Sequence, residues 1–235
     1  MRFMIMHKLN ARLETGVPPN PEEIGRIHGM MGEAAQAGIM LGGEGLLPSS
    51  RRTHLAYRGG ERRLTAGPFS EEKELIGGFA LVKVRTHDQA IAWMDRVAEA
   101  LGDVDVFLGP CTEPWHLGFA PEPPDAPLRF LAMYQLEGEA RLTPVQAAAL
   151  AELFAVMRQE GVLVSSEALA TSHHGARIHL EGDRHTVVDG PFAESKELVS
   201  GFAIFELPSK EAAIEWGVRW GHCIDVQTVE VRQLA

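Results

Sequence analysis

Apolar and polar positions recur in the same order twice along this chain. A short apolar run follows an arginine at Arg2-Phe3-Met4-Ile5-Met6 and again at Arg129-Phe130-Leu131-Ala132-Met133. Neither run alternates, which is the pattern of a strand covered on both faces. A helix start then appears in both places. Asn20-Pro21-Glu22-Glu23 offers an N-cap, a proline at the first helical position and a carboxylate at the third, and Thr143-Pro144-Val145-Gln146 repeats this with a Thr/Gln box. Apolar stripes follow at helical spacing, through Ile24, Ile27, Met31 and Ala35 in the first half and Ala147, Leu150, Ala151 and Phe154 in the second. Gly38 and Gly161 suit left-handed C-caps.

Each half continues alike. Short strands are expected over 39–44 and 162–167. Hairpins follow, turning at Gly59-Gly60 and at Gly182-Asp183. The next strands cover 79–84 and 202–207. A second helix opens with Thr86 as N-cap in the first half and carries Ala213-Ile214-Glu215-Trp216 in the second. Last strands fall at 104–108 and 228–231.

One block fixes the register of the two halves. Residues 66–79 read AGPFSEEKELIGGF and residues 189–202 read DGPFAESKELVSGF, nine of fourteen positions identical at an offset of 123. The helix starts keep that offset, whereas the first strands lie 127 apart, so the first half carries four extra residues in the loop around Gly16-Val17-Pro18-Pro19. The chain divides into a repeat at 1–109, a proline-rich connector at 110–127 and a repeat at 128–235. Trp115 and Phe119 are available to pin the connector down.

Strand, helix, strand, hairpin, strand, helix, strand is the ferredoxin-like βαββαβ plan with an inserted hairpin. That plan covers one sheet face with helices and leaves the other bare. Strands apolar on both faces require a cover for it. The expected fold is therefore α+β, with two tandem ferredoxin-like repeats packed sheet to sheet as a pseudo-dimeric α+β barrel.

A formal charge of −10 over 235 residues argues against nucleic acid and anionic membranes as partners. No apolar run approaches the roughly 18 residues of a membrane span, and the first residues read as a strand rather than a leader, so a cytoplasmic protein is expected. Cys111 and Cys223 are out of register with the repeat and support no disulfide. His179 is expected opposite Thr186 and His185 opposite Leu180, on different sheet faces. With no HxH or HExxH spacing either, no metal site is expected. No glycine-rich nucleotide loop opens a helix, no serine or cysteine nucleophile has a recognisable setting, and no cofactor is expected.

The GPF block, the MRFMIM start, Gly43-Glu44-Gly45-Leu46 and the Val229-Glu230-Val231-Arg232 finish resemble the YCII-related, DGPF-motif (YciI-like) family of bacterial proteins. The resemblance covers nearly all of both halves. It implies a ferredoxin-like fold forming dimeric α+β barrels, here with the dimer fused into one chain. A His/Asp pair is proposed as catalytic in the YCII branch, one branch dehalogenates chlorinated hydroxyquinols, and DGPF-type members accompany extracytoplasmic-function sigma factors.

Two candidates for chemistry stand out. Asp189 opens the second GPF block where the first has Ala66; it either caps its own turn or serves as a carboxylate in a site. His28 lies on the apolar stripe where the second half has Ala151; it is either a hydrogen-bonded packing residue or a base. Each half keeps one member of a His/Asp pair, so a composite acid–base site between the repeats and plain divergence after duplication both fit. Lys73 and Lys196 in the GPF blocks, and Glu44 and Glu167 at strand ends, are candidates for substrate binding or for a solvated surface. The function expected is a cofactor-free lyase or hydrolase of small molecules. The alternative is a non-catalytic ligand-binding or regulatory protein working with a sigma factor. Further pairing into a homodimer of the fused unit is open.

Overall fold

The computed structural model describes residues 1–69, 75–136, 141–193 and 198–235. In chain order the elements are β1 (Arg2–Lys8), α1 (Ala11–Glu14), α2 (Pro21–Gln36), β2 (Met40–Gly45), β3 (Thr53–Arg58), β4 (Glu61–Ala66), β5 (Ile76–Val84), α3 (His87–Leu101) and β6 (Val104–Pro110). The second half adds β7 (Leu128–Gln135), α4 (Pro144–Gln159), β8 (Leu163–Ala168), β9 (Gly175–Glu181), β10 (Arg184–Asp189), β11 (Val199–Glu206), α5 (Lys210–Ile224) and β12 (Thr228–Gln233).

Local signals behave as their chemistry requires. Asn20 accepts from the N–H groups of Glu22 and Glu23 while Glu23 reaches back to the Asn20 N–H, and Thr143 and Gln146 form the same reciprocal box. Gly38 and Gly161 end their helices at φ of +68° and +69°, a region open to glycine without a Cβ penalty. In the second hairpin His179 pairs with Thr186 and His185 with Leu180, as the two-residue turn dictates. Helix α1 is an addition: its apolar period is too short to show in the sequence, and Asn10 caps it by accepting from the Leu13 N–H.

The fold is α+β, with two six-stranded antiparallel sheets. One has the order β10-β9-β12-β1-β11-β2 and the other β4-β3-β6-β7-β5-β8. This departs from the expected one repeat, one sheet. Each sheet takes strands from both halves: β1 and β2 of the first half sit among strands of the second, and β7 and β8 among strands of the first. The chain changes sheet between β2 and β3 and again between β8 and β9. At the first change Arg52 Nε donates to the Leu47 carbonyl at 2.8 Å, and at the second an Arg232 guanidinium nitrogen donates to the Ala170 carbonyl at 2.6 Å. Those carbonyls are equivalent at the offset of 123, although Arg52 immediately precedes β3 whereas Arg232 lies in β12.

The sheets face each other through Met4, Met6, Phe202 and Ile204 on one side and Phe79, Leu81, Leu131 and Met133 on the other, with Phe79 and Phe202 in ring contact at 5.2 Å. The outer face of the first sheet carries α2 and α5, and that of the second carries α3 and α4. The sheets remain open, with β10 and β2 as edges of one and β4 and β8 of the other, so no closed barrel forms among the described residues. Backbone hydrogen bonds tie the sheets at short bridges, Leu46 with Cys111 and Leu169 with Leu234, and side-chain burial supplies the rest of the contact. No helix among the described residues is long and apolar enough to cross a membrane.

Candidate functional site

The GPF blocks are explained by packing. A Cβ on Gly67 would lie 1.9 Å from the Ser49 carbonyl oxygen, and one on Gly190 would lie 1.8 Å from that of Ser172. Only glycine permits so close a backbone approach. The following phenylalanines are held the same way. The Phe69 N–H donates to the Ser49 hydroxyl at 3.0 Å and the Phe192 N–H to the Ser172 hydroxyl at 2.8 Å. Lys73 and Lys196 lie outside the described residues.

Asp189 ends β10, its side chain 70% exposed, and accepts from Lys210 Nζ at 2.6 Å. His28 is exposed on α2 at the wall of a cavity of about 360 Å³, with its ring 6.3 Å from that of Phe119. The cavity meets α5 at Trp220 and Ile224, whereas Lys210 begins that helix. Ten helical residues span roughly 15 Å, so Asp189 and His28 belong to different places on the molecule.

Glu44 and Glu167 link the sheets. Glu44 accepts from Arg129 at 2.5 Å, and Glu167 pairs with Arg2. Glu44 also borders the cavity. Its burial raises the carboxyl above the usual range, and Arg129 offsets that only in part.

The cavity exists because the halves diverge at one spot. At the α3–α4 pair the Gln146 side-chain amide donates to the Leu101 carbonyl at 2.5 Å, closing α4 directly onto the end of α3. The equivalent residues at the α2–α5 pair are Glu23 and Ile224, and Arg12 of α1 stands between them. It pairs with Glu23 at 3.1 Å and donates to the Ile224 carbonyl at 2.8 Å. Arg12 thus stands where Gln146 makes a direct bridge, and Val17 and Pro18 of the inserted loop line the opening. The connector supplies another wall. Glu113 grips Arg129, and the Glu113 N–H donates to His116 Nδ1 at 2.9 Å, which places His116 at the cavity.

At the inner end stands His7, on β1, where the second half has Tyr134. His7 is 8% exposed, and its Nδ1 accepts from the Trp220 indole N–H at 3.3 Å. An indole N–H can only donate, so the neutral ring carries its hydrogen on Nε2. Burial, with Arg52 and Arg12 nearby, holds the imidazole at about 3, so it is neutral. Both equivalent side chains lie over a glycine. A Cβ on Gly201 would be 2.4 Å from His7 Cε1, and one on Gly78 would be 2.1 Å from the Tyr134 hydroxyl. Sequence reasoning stopped the first strand at Met6 and passed over His7. The signal available was its alignment with a tyrosine at the first-strand offset of 127.

A His–carboxylate pair does form, from residues the sequence reading did not single out. His54 Nε2 and Asp105 Oδ1 are 2.8 Å apart, the ring is stacked on Phe107 at 4.3 Å, and Arg58 holds the other oxygen. Asp105 is drawn below the usual carboxylate range. Burial would raise it, and His54 and Arg58 outweigh that.

Both free cysteines are buried. No group of three or more His, Cys, Asp or Glu side chains that could hold a metal ion occurs among the described residues.

The fold is that of a duplicated α+β protein with a mostly apolar cavity between α2, α5 and the connector. The family model described as the YCII-related domain matches residues 1–104 and 130–220, and the chain belongs to that family. No curated protein and no solved structure matches it.

Proposed function

We propose that this YCII-family protein binds a small, largely apolar molecule in the cavity bordered by His7, His28, His116 and Trp220. The carrying observation is the divergence between the halves. Tyr134 is buried in the apolar core of its half, whereas His7 at the equivalent place borders open volume of the size that small-molecule sites have. The charged groups at the wall are already paired, Glu23 with Arg12 and Glu44 with Arg129, which leaves binding to apolar contact and a few polar groups. We read the exchanged strands as a fused pair of ferredoxin-like units, in which one of two equivalent places became the binding site.

The test is titration of the uncharged fluorophore N-phenyl-1-naphthylamine into wild type and His7→Tyr. The tyrosine is expected to lie over Gly201 as Tyr134 lies over Gly78 and to abolish the emission increase with the fold retained by circular dichroism. Equal emission increases in the two proteins would refute the reading.

A second reading, acid–base catalysis, is favoured by the His54–Asp105 pair, because a carboxylate orients an imidazole. Its requirement is measurable. In Asp105→Asn the His54 ring should lose its fixed stacking on Phe107, read by NMR as weakened contacts between the two rings.

A further inference from the structure

We infer that the cavity takes an uncharged molecule bearing a hydrogen-bond acceptor, seated so that the acceptor meets the Nε2 hydrogen of His7. The inference rests on the cavity being a binding site and adds the chemical class of the ligand. Trp220 occupies Nδ1 and fixes the hydrogen on Nε2. Among the described residues the ring has no hydrogen-bond partner other than Trp220. Nε2 itself keeps accessible surface toward the cavity, so a ligand acceptor can take up this donor there in place of water.

The surroundings select against charge. Glu23 is shared between Arg12 and the Asn20 N–H, and Glu44 is held by Arg129. An ionic ligand would enter a wall whose opposite charges are already satisfied and would lose its own hydration. Leu13, Ile27, Met31 and Ile224 present only hydrocarbon or thioether surface to the rest of the molecule. The ligand class is thus an apolar body with a single carbonyl-like oxygen.

The experiment compares acetophenone with α-methylstyrene, which replaces the carbonyl oxygen by a methylene of similar shape. Affinities for wild type and His7→Phe are measured by ligand-observed NMR. The phenylalanine keeps an apolar ring over Gly201 and removes the donor. The ratio of acetophenone to α-methylstyrene affinity should fall about tenfold in His7→Phe, the effect of one hydrogen bond from a buried donor. In wild type, acetophenone and not α-methylstyrene should shift the His7 Nε2–H resonance, a readout that does not depend on the variant folding. Binding of both probes with an unchanged ratio and no resonance shift overturns the inference and leaves the cavity a binding site. Binding of neither probe to wild type overturns the inference and the underlying reading together.

Discussion

His7 and Tyr134 stand at equivalent places on β1 and β7, each with its ring over a glycine of the neighbouring strand, Gly201 and Gly78. One ring closes its half and the other borders a cavity. The difference is compounded by Trp220, which holds the His7 ring from α5 where the first half has the smaller Val97 on α3.

Gly201→Ala should therefore be disruptive. Its Cβ would meet the His7 ring at 2.4 Å and the Glu44 carbonyl oxygen at 2.8 Å, and the second of these is backbone that cannot swing away. A loss of about 1–3 kcal/mol is expected from such overpacking, measured by urea denaturation, together with loss of probe binding.

Acid should destabilise the protein in two windows. The unfolded chain takes up a proton at His7 near its ordinary 6.5, whereas the folded chain resists until about 3. Stability thus falls as pH drops through that interval, by up to about 1.4 kcal/mol per pH unit. Glu230 adds a second window. Burial would raise its carboxyl, but Lys8, Arg232 and Arg177 hold it at about 2, so its contribution is present above 4.5 and is lost as pH falls toward 2. Melting temperature against pH should decline from 6.5 downward in wild type, and in His7→Tyr the decline should begin only near 4.5.

The two arginine–glutamate links between sheets should differ in worth. Arg129→Ala leaves Glu44 and the nearly buried Glu113 without their cation, at a cost on the order of 2 kcal/mol or more. Arg2→Ala breaks a more exposed link with Glu167 and should cost at most about 1 kcal/mol. Denaturation of the two variants side by side checks the order.

Asp189→Asn should be nearly silent. The pair with Lys210 is on the surface, so about 0–1 kcal/mol is expected, and probe affinity should match wild type because the carboxylate lies away from the cavity. A marked loss of probe affinity in Asp189→Asn would place the aspartate in the site after all.

The sequence by itself determined the duplication, the order of strands and long helices, the caps at Asn20 and Thr143, the hairpin register at His179 and His185, and the family. The elements, caps and hairpin register depend on contacts between near neighbours in the chain, where periodicity and cap chemistry act directly, and the duplication and family on matching residues alone. Tertiary structure decided which strands share a sheet. The pairing of β1 with β11 and β12 joins residues some 200 positions apart, and nothing local distinguishes it from pairing within one half. It also decided that His28 and Asp189 stand apart, that His54 meets Asp105, and that Arg12 bridges Glu23 of α2 and the end of α5. The cavity lies beside that bridge, and its inner polar group, His7, reads in the sequence as one more residue after an apolar strand. Its neutrality and its single exposed donor come from burial beside Trp220, a relation between β1 and α5 that only the folded chain brings into being.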